Sequence, residues 1–189
     1  MNPDTKGFFA RFLEDNEYPV IQASIDAFHN PKAYRYRRGE LSPEAYYYDS
    51  INFDAVVNDL LQPLEPDGNR KYCCAVHDLK SDQPITVNWE RASEDSILVF
   101  DGVFLQREEV RNYWDCIVLV DADFFVTVPR AVRRNFEESS DLADLEQRYR
   151  TKYVGAQERY LSSCFPKENA HLVLDNNDFT SPACTVENG

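Results

Sequence analysis

The sequence predicts an α/β domain in which helices cover a mostly parallel sheet. Three apolar runs, at 97–100, 116–120 and 171–174, are continuous rather than alternating, which is typical of strands covered on both faces. Helical patterns separate these runs along the chain. That alternation is expected when crossover helices join parallel strands.

The first third of the chain predicts a helix, a strand and an irregular segment. Residues 7–15, GFFARFLED, carry apolar side chains at near-helical spacing and indicate a short amphipathic helix. Residues 20–25 indicate a strand. Residues 30–49, NPKAYRYRRGELSPEAYYYD, fit neither pattern and indicate a functional loop with short helical turns. A helix from 53 to 61 should end before Pro63.

The remaining elements are short, and they complete one domain over residues 1–189. We expect, in chain order, extended arms at 71–79 and 84–89, a strand at 96–101, one or two helical turns at 107–113, a strand at 116–121, helices at 124–138 and 141–163, and a last strand at 171–175.

The charge of the chain limits its function. A net charge of −13 argues against wrapping of nucleic acid, which requires an excess of Lys and Arg. No run approaches the roughly 18 apolar residues that span a bilayer, and the first residues lack the pattern of a secretory signal. We therefore expect a cytoplasmic protein that binds neither nucleic acid nor membrane. A homo-oligomer stays open.

The five cysteines indicate neither a disulfide framework nor a zinc site. Their number is odd, there is no C-x-x-C pair, and Cys73 and Cys74 are adjacent. Reduced thiols are the simplest assignment.

Aspartates follow several of the predicted strands, at positions 26, 101, 121, 123 and 175. In a parallel sheet, ligands collect beyond the carboxyl ends of the strands. In ILVFDGVFL, a glycine and a further apolar stretch follow Asp101, which favours a site. For Asp121, Asp123 and Asp175, a role as turn former or helix cap is at least as good an interpretation.

Three arginines in VPRAVRRN form a second candidate feature. Arg130, Arg133 and Arg134 lie at helical spacing, so their guanidinium groups can converge on one polyanion. A solvated helix face is the alternative interpretation. Two strand-end acids together with such a face suit phosphoryl transfer, which needs a base, a carboxylate for Mg²⁺ and cations over the phosphates.

These features together resemble the uridine kinase-like members of the P-loop nucleoside kinases, which are related to phosphoribulokinase. The resemblance spans roughly residues 8–178 in the family's order. It is carried by ASIDAFHNPKAYRYRRGELSPEAYYYDS at 23–50, ILVFDGVFLQREEVRNYWDCIVLVDAD at 97–123, the arginines of PRAVRRN, RYLSSCFP and HLVLDNND.

The resemblance implies a three-layer P-loop kinase-like fold and an ATP-dependent transfer to a hydroxyl, with Mg²⁺. Asp26 would accept the proton of that hydroxyl. Asp101 would act on Mg²⁺, directly or through water. Arg130, Arg133 and Arg134 would belong to the lid helix over the phosphates.

The resemblance also implies an acceptor site for a nucleoside or a related small molecule. Phe28 and His29 would form its wall. A loop over the acceptor would contribute the arginines and tyrosines Arg35, Arg37, Arg38, Tyr46, Tyr47 and Tyr48. Packing of an irregular loop is an equally good explanation for the tyrosines.

One part of the family pattern is missing. The family begins with a strand and a loop G-x-x-x-x-G-K-[ST], whose amides wrap the nucleotide phosphates. Here Lys6 falls where the nucleotide-binding lysine belongs, but Thr5 replaces the glycine and Gly7 the hydroxyl residue. Ala27 and Asn135 replace further acids that are common in the family.

The missing start has a structural and a chemical consequence. The family's first strand lies centrally, between the strands that end at Asp101 and near Asp121. Without it, each of these two strands would lose its hydrogen-bonded neighbour on one side, unless the two pair directly or another chain fills the gap. Losing one preorganised donor can cost roughly 3 to 4 kcal/mol, so we expect ATP to bind weakly or not at all. A fragment, an alternative start and a pseudoenzyme all fit this expectation.

Two functions therefore compete. The first is a kinase of a nucleoside or similar metabolite, impaired as written; a sugar phosphate or pantothenate-like acceptor ranks lower because DAFH is closer to uridine kinase-like members. The second is a non-catalytic relative that binds a metabolite or a protein.

Overall fold

The computed structural model describes residues 3–135 and 141–186. Contacts within the chain define two compact units. The first comprises the residues before Tyr36 together with Asp49–Tyr113, and the second comprises Tyr36–Tyr48 together with the residues after Tyr113. Both units combine helices with strands, so the α/β class is confirmed. A single domain over residues 1–189 stays a prediction.

The elements follow one another with short connections. In chain order they are α1 (Pro3–Asp15), β1 (Val20–Ser24), a 3-10 turn (Ile25–Phe28), α2 (Lys32–Arg35), α3 (Pro43–Asp49), α4 (Phe53–Val56), a π-helical turn (Val57–Leu61), α5 (Gln62–Leu64), β2 (Lys71–Tyr72), β3 (His77–Asp78), β4 (Gln83–Pro84), β5 (Glu90–Arg91), β6 (Ile97–Asp101), a 3-10 turn (Arg111–Tyr113), β7 (Val118–Asp121), α6 (Phe124–Arg134), α7 (Leu142–Arg148), a second π-helical turn (Tyr149–Val154), α8 (Gly155–Cys164), β8 (Leu172–Asp175) and β9 (Ala183–Val186).

The first unit is built on a parallel pair of strands, β1 and β6. Their register pairs Val20 with Ile97 and Ser24 with Asp101. Helix α1 packs against both strands and buries Ala10 completely. All five residues of β6 are half-buried, so this strand is less covered than its continuous apolar run predicts.

The helix that begins at Phe53 does not end before Pro63, as the sequence predicts, but continues to Leu64. In a regular α-helix the N–H of residue 63 would donate to the carbonyl of Asp59, and proline has no N–H. The backbone N–H of Cys73 donates to that carbonyl instead, at 2.9 Å. The helix therefore passes through the proline with its freed acceptor satisfied from another element.

The predicted extended arms form two short antiparallel pairs. β2 pairs with β5, and β3 pairs with β4 inside them. Tyr72 of β2 is buried and donates from its hydroxyl to Glu90 Oε2 at 3.2 Å. Burial, followed by the charge of Glu90, raises the pKa of Tyr72 to about 12. This phenol thus stays protonated across the physiological range.

The second unit carries a three-stranded sheet, β7-β8-β9. β7 and β8 are parallel, with Asp121 opposite Asp175, whereas β9 is antiparallel to β8. The sequence analysis did not predict β9. Its four residues carry no clear pattern, and a strand this short is stabilised by the ladder it forms rather than by its own propensity.

The helices of the second unit agree with the predicted segments in type. Helix α6 ends at Arg134, and the predicted residues 136–138 lie outside the described residues. The predicted helix at 141–163 is continuous from Leu142 to Cys164, but its middle turn has π geometry.

Each parallel pair has one edge on which no described strand lies. Among residues 3–135 and 141–186, β6 pairs only with β1, and β7 pairs on one side with β8. The expected absence of the family's central strand stays a prediction. In the same residues, none of the helices combines the length and apolar character needed to cross a bilayer.

Candidate active site

The candidate site of the first unit lies at the carboxyl ends of β1 and β6. Because these strands are parallel and Ser24 pairs with Asp101, both strands end at the same edge. The hydroxyl of Ser24 donates to Asp101 Oδ2 at 3.3 Å. Asp26 follows two residues later in the 3-10 turn. The register thus brings Asp26 and Asp101, which are distant in sequence, to one end of one ladder.

The glycine after Asp101 has a steric explanation. A Cβ at Gly102 would lie 2.1 Å from Cγ2 of Ile25, a side chain that is fully buried. The chain leaving β6 therefore passes too close to the start of the 3-10 turn for any side chain. This close approach keeps the turn that carries Asp26 against the end of β6.

His29 is held beside Asp26 by the backbone. Its side chain is buried, and Nδ1 lies 2.9 Å from the carbonyl oxygen of Asp26. Burial lowers the pKa of His29 below its usual value, and the charges of Arg35 and His77 act in the same direction. His29 is therefore a neutral imidazole near pH 7, with its orientation set by the turn. The ring of Phe28 is fully buried and meets Phe100 edge to face at 6.2 Å, so it packs in the core.

A second polar cluster of the first unit surrounds Asp82. Its Oδ1 accepts hydrogen bonds from the backbone N–H of Lys32 at 2.8 Å and from Arg35 Nη2 at 3.1 Å, and it lies 3.1 Å from Nε2 of His77. Partial burial would raise the pKa of Asp82, but these hydrogen bonds lower it below its usual value. Asp82 stays ionised and holds Arg35 and His77 in place.

The sequence analysis missed His77 and Asp82. His77 lies in one of the predicted arms, and Asp82 has a left-handed backbone with φ of 55° at the turn between β3 and β4. The available signal was a lone histidine shortly before the Asp of SDQP. It did not indicate that Arg35, which is 47 residues away from Asp82 in the sequence, would donate a hydrogen bond to that carboxylate. Only the folded arm brings the three side chains together.

The remaining predicted acceptor residues belong to the second unit, in residues 36–48, here named the tyrosine segment. Arg37 and Arg38 are exposed. Tyr46 meets Tyr153 edge to face at 4.7 Å, and Tyr47 is buried with its hydroxyl 3.6 Å from Sγ of Cys164. Tyr48 is 47% exposed, but its ring also packs within the unit, 4.8 Å from that of Tyr47 and 5.6 Å from the guanidinium of Arg159.

The three arginines of α6 are not equivalent. Arg130 donates to the backbone carbonyls of Asn176 at 2.7 Å and Asn177 at 2.6 Å, and its guanidinium lies 5.4 Å from the ring of Phe179. Arg133 and Arg134 are exposed. Arg130 therefore clamps the chain beyond β8, and the expected contact of all three arginines with one polyanion stays a prediction.

The acids at the ends of β7 and β8 are engaged in local contacts. Lys167 donates to Asp121 Oδ2 at 2.8 Å. Asp175 Oδ1 accepts from the backbone and the side chain of Asn177, and the side chain of Asn177 accepts from the backbone N–H of Asp123. The structure supports ion pairing and turn formation for these acids.

The predicted donor side of the site has few described features. Lys6 lies within α1, and its side chain falls outside what the structure describes. Across residues 3–135 and 141–186, no three His, Cys, Asp or Glu side chains converge as a metal site. A single carboxylate such as Asp101 is enough for Mg²⁺ only where substrate phosphates and water supply most of the ligands, as in phosphoryl-transfer sites.

Comparison with known proteins shows the fold. No family model matches the chain, and no curated protein matches its sequence. A possible uridine kinase from Bacillus stearothermophilus matches in structure with a TM-score of 0.68 and 21% identity, covering 89% of this chain and 78% of its own.

Two further solved structures agree. A proposed fructose transport system kinase from Silicibacter sp. TM1040 has a TM-score of 0.66 and 15% identity, covering 84% of this chain and 77% of its own. The YGR205w protein has a TM-score of 0.60 and 11% identity, covering 96% and 84%. The chain therefore has the fold of uridine kinase-like and related P-loop kinases, and the predicted resemblance is confirmed at the level of fold.

Proposed function

We propose that this chain is a uridine kinase-like phosphotransferase that moves the γ-phosphoryl group of ATP to a hydroxyl of a nucleoside or a similar small metabolite. The observation that carries the proposal is the shared end of β1 and β6, where Asp101 is the last residue of β6 and Asp26 lies two residues after β1. The fold and the description of one structural neighbour as a possible uridine kinase support it.

Asp26 is the proposed general base. It accepts the proton of the acceptor hydroxyl as that oxygen attacks phosphorus, so the carboxylate must be ionised and within hydrogen-bond reach. The carbonyl contact with His29 and the close approach at Gly102 hold the turn in one conformation. These contacts thus set the position of the turn that carries Asp26.

Asp101 is the proposed contact for the metal of Mg²⁺·ATP, which arrives as the substrate complex. When bound, the metal would offset negative charge that develops on the phosphates during transfer. The hydroxyl of Ser24 orients Asp101. In the second unit, Arg133 and Arg134 are exposed, and each is proposed to bind phosphate. Arg130 supports them indirectly through the chain after β8.

The acceptor is proposed to be polar and to carry hydroxyl groups. Asp26, Arg35 and His77 lie close enough to His29 in the first unit for their charges to affect its pKa. Such a cluster offers donors and acceptors to a sugar and its attached ring. A nucleoside fits these groups better than an apolar alcohol does.

We infer that the polypeptide of residues 1–189 by itself binds ATP weakly, because no stretch of it reads G-x-x-x-x-G-K-[ST]. Backbone amides of that loop supply much of the phosphate binding in P-loop proteins. Titration of this polypeptide with ATP and Mg²⁺ tests the inference. Saturable binding that Asp101→Ala abolishes would contradict it.

Uridine phosphorylation tests the proposed function. With uridine and Mg²⁺·ATP at high enzyme concentration, we expect slow formation of uridine monophosphate. Asp26→Asn should reduce the rate to background and leave uridine affinity within about threefold, since it removes the base and keeps the shape. The matched control is Asp54→Asn, at an exposed carboxylate in the first turn of α4. Equal rates in the two variants would remove Asp26 from the mechanism.

A non-catalytic binding protein is the second candidate, favoured by the absence of the phosphate-loop motif from these residues. Uridine binding by calorimetry without detectable uridine monophosphate would favour it. If no nucleoside binds and none is phosphorylated, the first proposal is overturned.

A further inference from the structure

Lys152 is a buried cation outside the proposed catalytic groups. Its side chain is 4% exposed, and it lies in the π-helical turn Tyr149–Val154. Lysine is rarely buried to this extent, because removing an ammonium group from water is costly. Single π-helical turns within α-helices are frequent at functional sites. Both features indicate that this position does more than fill space.

Three tyrosine rings surround the ammonium group. Nζ of Lys152 lies 4.4 Å from the ring centroid of Tyr36, 5.5 Å from that of Tyr153 and 5.8 Å from that of Tyr46. A cation over a ring is attracted to the ring's negative face, so the contact favours one orientation of each ring. Lys152 thus joins Tyr36 and Tyr46, at opposite ends of the tyrosine segment, to the π-helical turn.

The contacts around this cluster are of a different kind. Arg148 donates to Glu40 at 2.7 Å and Arg159 to Glu44 at 3.3 Å, but both pairs are substantially exposed. Exposed ion pairs contribute little and are screened by salt. The buried contacts of Lys152 should therefore depend less on salt than these two ion pairs do.

The same cluster reaches the C-terminal end of α6. Tyr149 packs on Tyr153 with ring centroids 4.9 Å apart, and its hydroxyl accepts a hydrogen bond from the side chain of Asn135. Asn135 is the C-cap of α6, directly after Arg133 and Arg134. One aromatic cluster thus touches both the tyrosine segment and the helix with the proposed phosphate-binding arginines.

We propose that Lys152 is a positioning residue for the acceptor, acting through the tyrosine segment. It fixes the rings of Tyr36 and Tyr46, and so sets the path of Arg37, Arg38 and Tyr48, the exposed residues of the tyrosine segment that are proposed to meet the nucleoside. This role rests on the proposed function, because the acceptor is the ligand of that function.

Hydrogen exchange tests the positioning without any ligand. Lys152→Met removes the charge and keeps an unbranched chain, so amides of residues 36–48 should exchange about tenfold faster, as in local opening. The matched control is Arg150→Met, in the same turn, whose side chain is 53% exposed and pairs with Glu146. It should leave exchange in this segment unchanged. Should Lys152→Met not fold, Tyr36→Leu removes the closest ring and should give the same local signature.

Uridine binding separates positioning from a merely structural role. Lys152→Met should raise the Kd for uridine about tenfold, and Lys152→Arg should restore it to within about threefold because arginine also stacks on aromatic faces. A lower unfolding midpoint with unchanged uridine Kd would overturn the acceptor role. Unchanged exchange in residues 36–48 would overturn the positioning itself.

The failure of the proposed function is a distinct outcome. If the unmodified protein binds no nucleoside, the acceptor role of Lys152 falls together with that function. The exchange data then still decide whether Lys152 fixes the tyrosine segment.

Discussion

Two parallel strand pairs of this protein end in aspartates, and the two ends differ. At the end of β1 and β6, Asp101 accepts a hydrogen bond from the hydroxyl of Ser24, and Asp26 follows on a 3-10 turn. At the end of β7 and β8, a lysine neutralises Asp121, and Asp175 closes a turn with Asn177. The same sequence pattern, an apolar run that ends in Asp, therefore has different surroundings at the two places.

The residues after the strands explain the difference. Gly102 follows Asp101 and allows the 3-10 turn to approach the strand end, whereas Ala122 follows Asp121 and Arg130 clamps the chain after β8. The first end keeps carboxylates beside hydroxyl and imidazole groups. The second end uses its acids to stabilise the connections. An acid at a strand end therefore indicates a site only when the residues that pack around it are also known.

The largest effect should come from Gly102→Ala. The added Cβ would lie 2.1 Å from the buried Ile25, so either the turn or the strand end must move. Overpacking of this kind destabilises by about 3 kcal/mol, measured as the free energy of unfolding in urea. The control Gly7→Ala, where a Cβ meets nothing within 4 Å, should not destabilise. A neutral Gly102→Ala would remove the steric basis of the first strand end.

Arg130→Met should have the next largest effect. It removes two charge-assisted hydrogen bonds to the carbonyls of Asn176 and Asn177, which should cost about 2 kcal/mol and speed hydrogen exchange in residues 175–179. Arg133→Met, at an exposed position of the same helix, is the control and should change stability by less than about 0.5 kcal/mol. Equal effects would mean that the arginines are equivalent.

The pH dependence of stability should reveal His29. Because burial lowers its pKa in the folded chain, the unfolded chain binds more protons just below the usual value of 6.5. Stability should therefore fall as the pH drops from about 7 towards the folded pKa, with a slope of at most about 1.4 kcal/mol per pH unit for this group. His29→Gln should flatten that slope in urea titrations at several pH values. His171→Gln, at an exposed site, should keep it.

The smallest effect should come from Lys167→Met. The pair with Asp121 is short, but the two side chains are 56% and 40% exposed. An exposed ion pair contributes less than about 1 kcal/mol. The difference from the unmodified protein should disappear at about 1 M salt, where screening is nearly complete. A larger, salt-independent loss would show that the second strand end is stabilised in some other way.

The sequence predicted most elements of the fold, because their signals are local. The apolar runs predicted β1, β6, β7 and β8 to within two residues, and helical spacing predicted α1 and α6. It wrongly predicted a helix end before Pro63, because the donor that replaces the missing N–H comes from Cys73, ten residues further along the chain. Non-local hydrogen bonds of this kind leave no local pattern.

The candidate site was predictable only in part. The sequence could place Asp26 and Asp101 at strand ends because each follows an apolar run, and their shared edge is confirmed by the register of β1 and β6, whereas their roles stay predictions. Arg35, His77 and Asp82 meet through a folded arm whose strands have two residues each, too short for a periodic signal. The unequal roles of the three arginines could not be predicted either, since helical spacing says which side chains share a face and not which carbonyls they reach.

The sequence by itself determined that this protein is an α/β chain with acids at the ends of apolar strands, because burial patterns and strand ends depend on neighbouring residues. Only the tertiary structure decided which acids are neutralised, which tyrosines surround Lys152 and which arginine acts as a clamp. Those outcomes depend on side chains that are far apart in the chain, and their contacts form only when the elements pack.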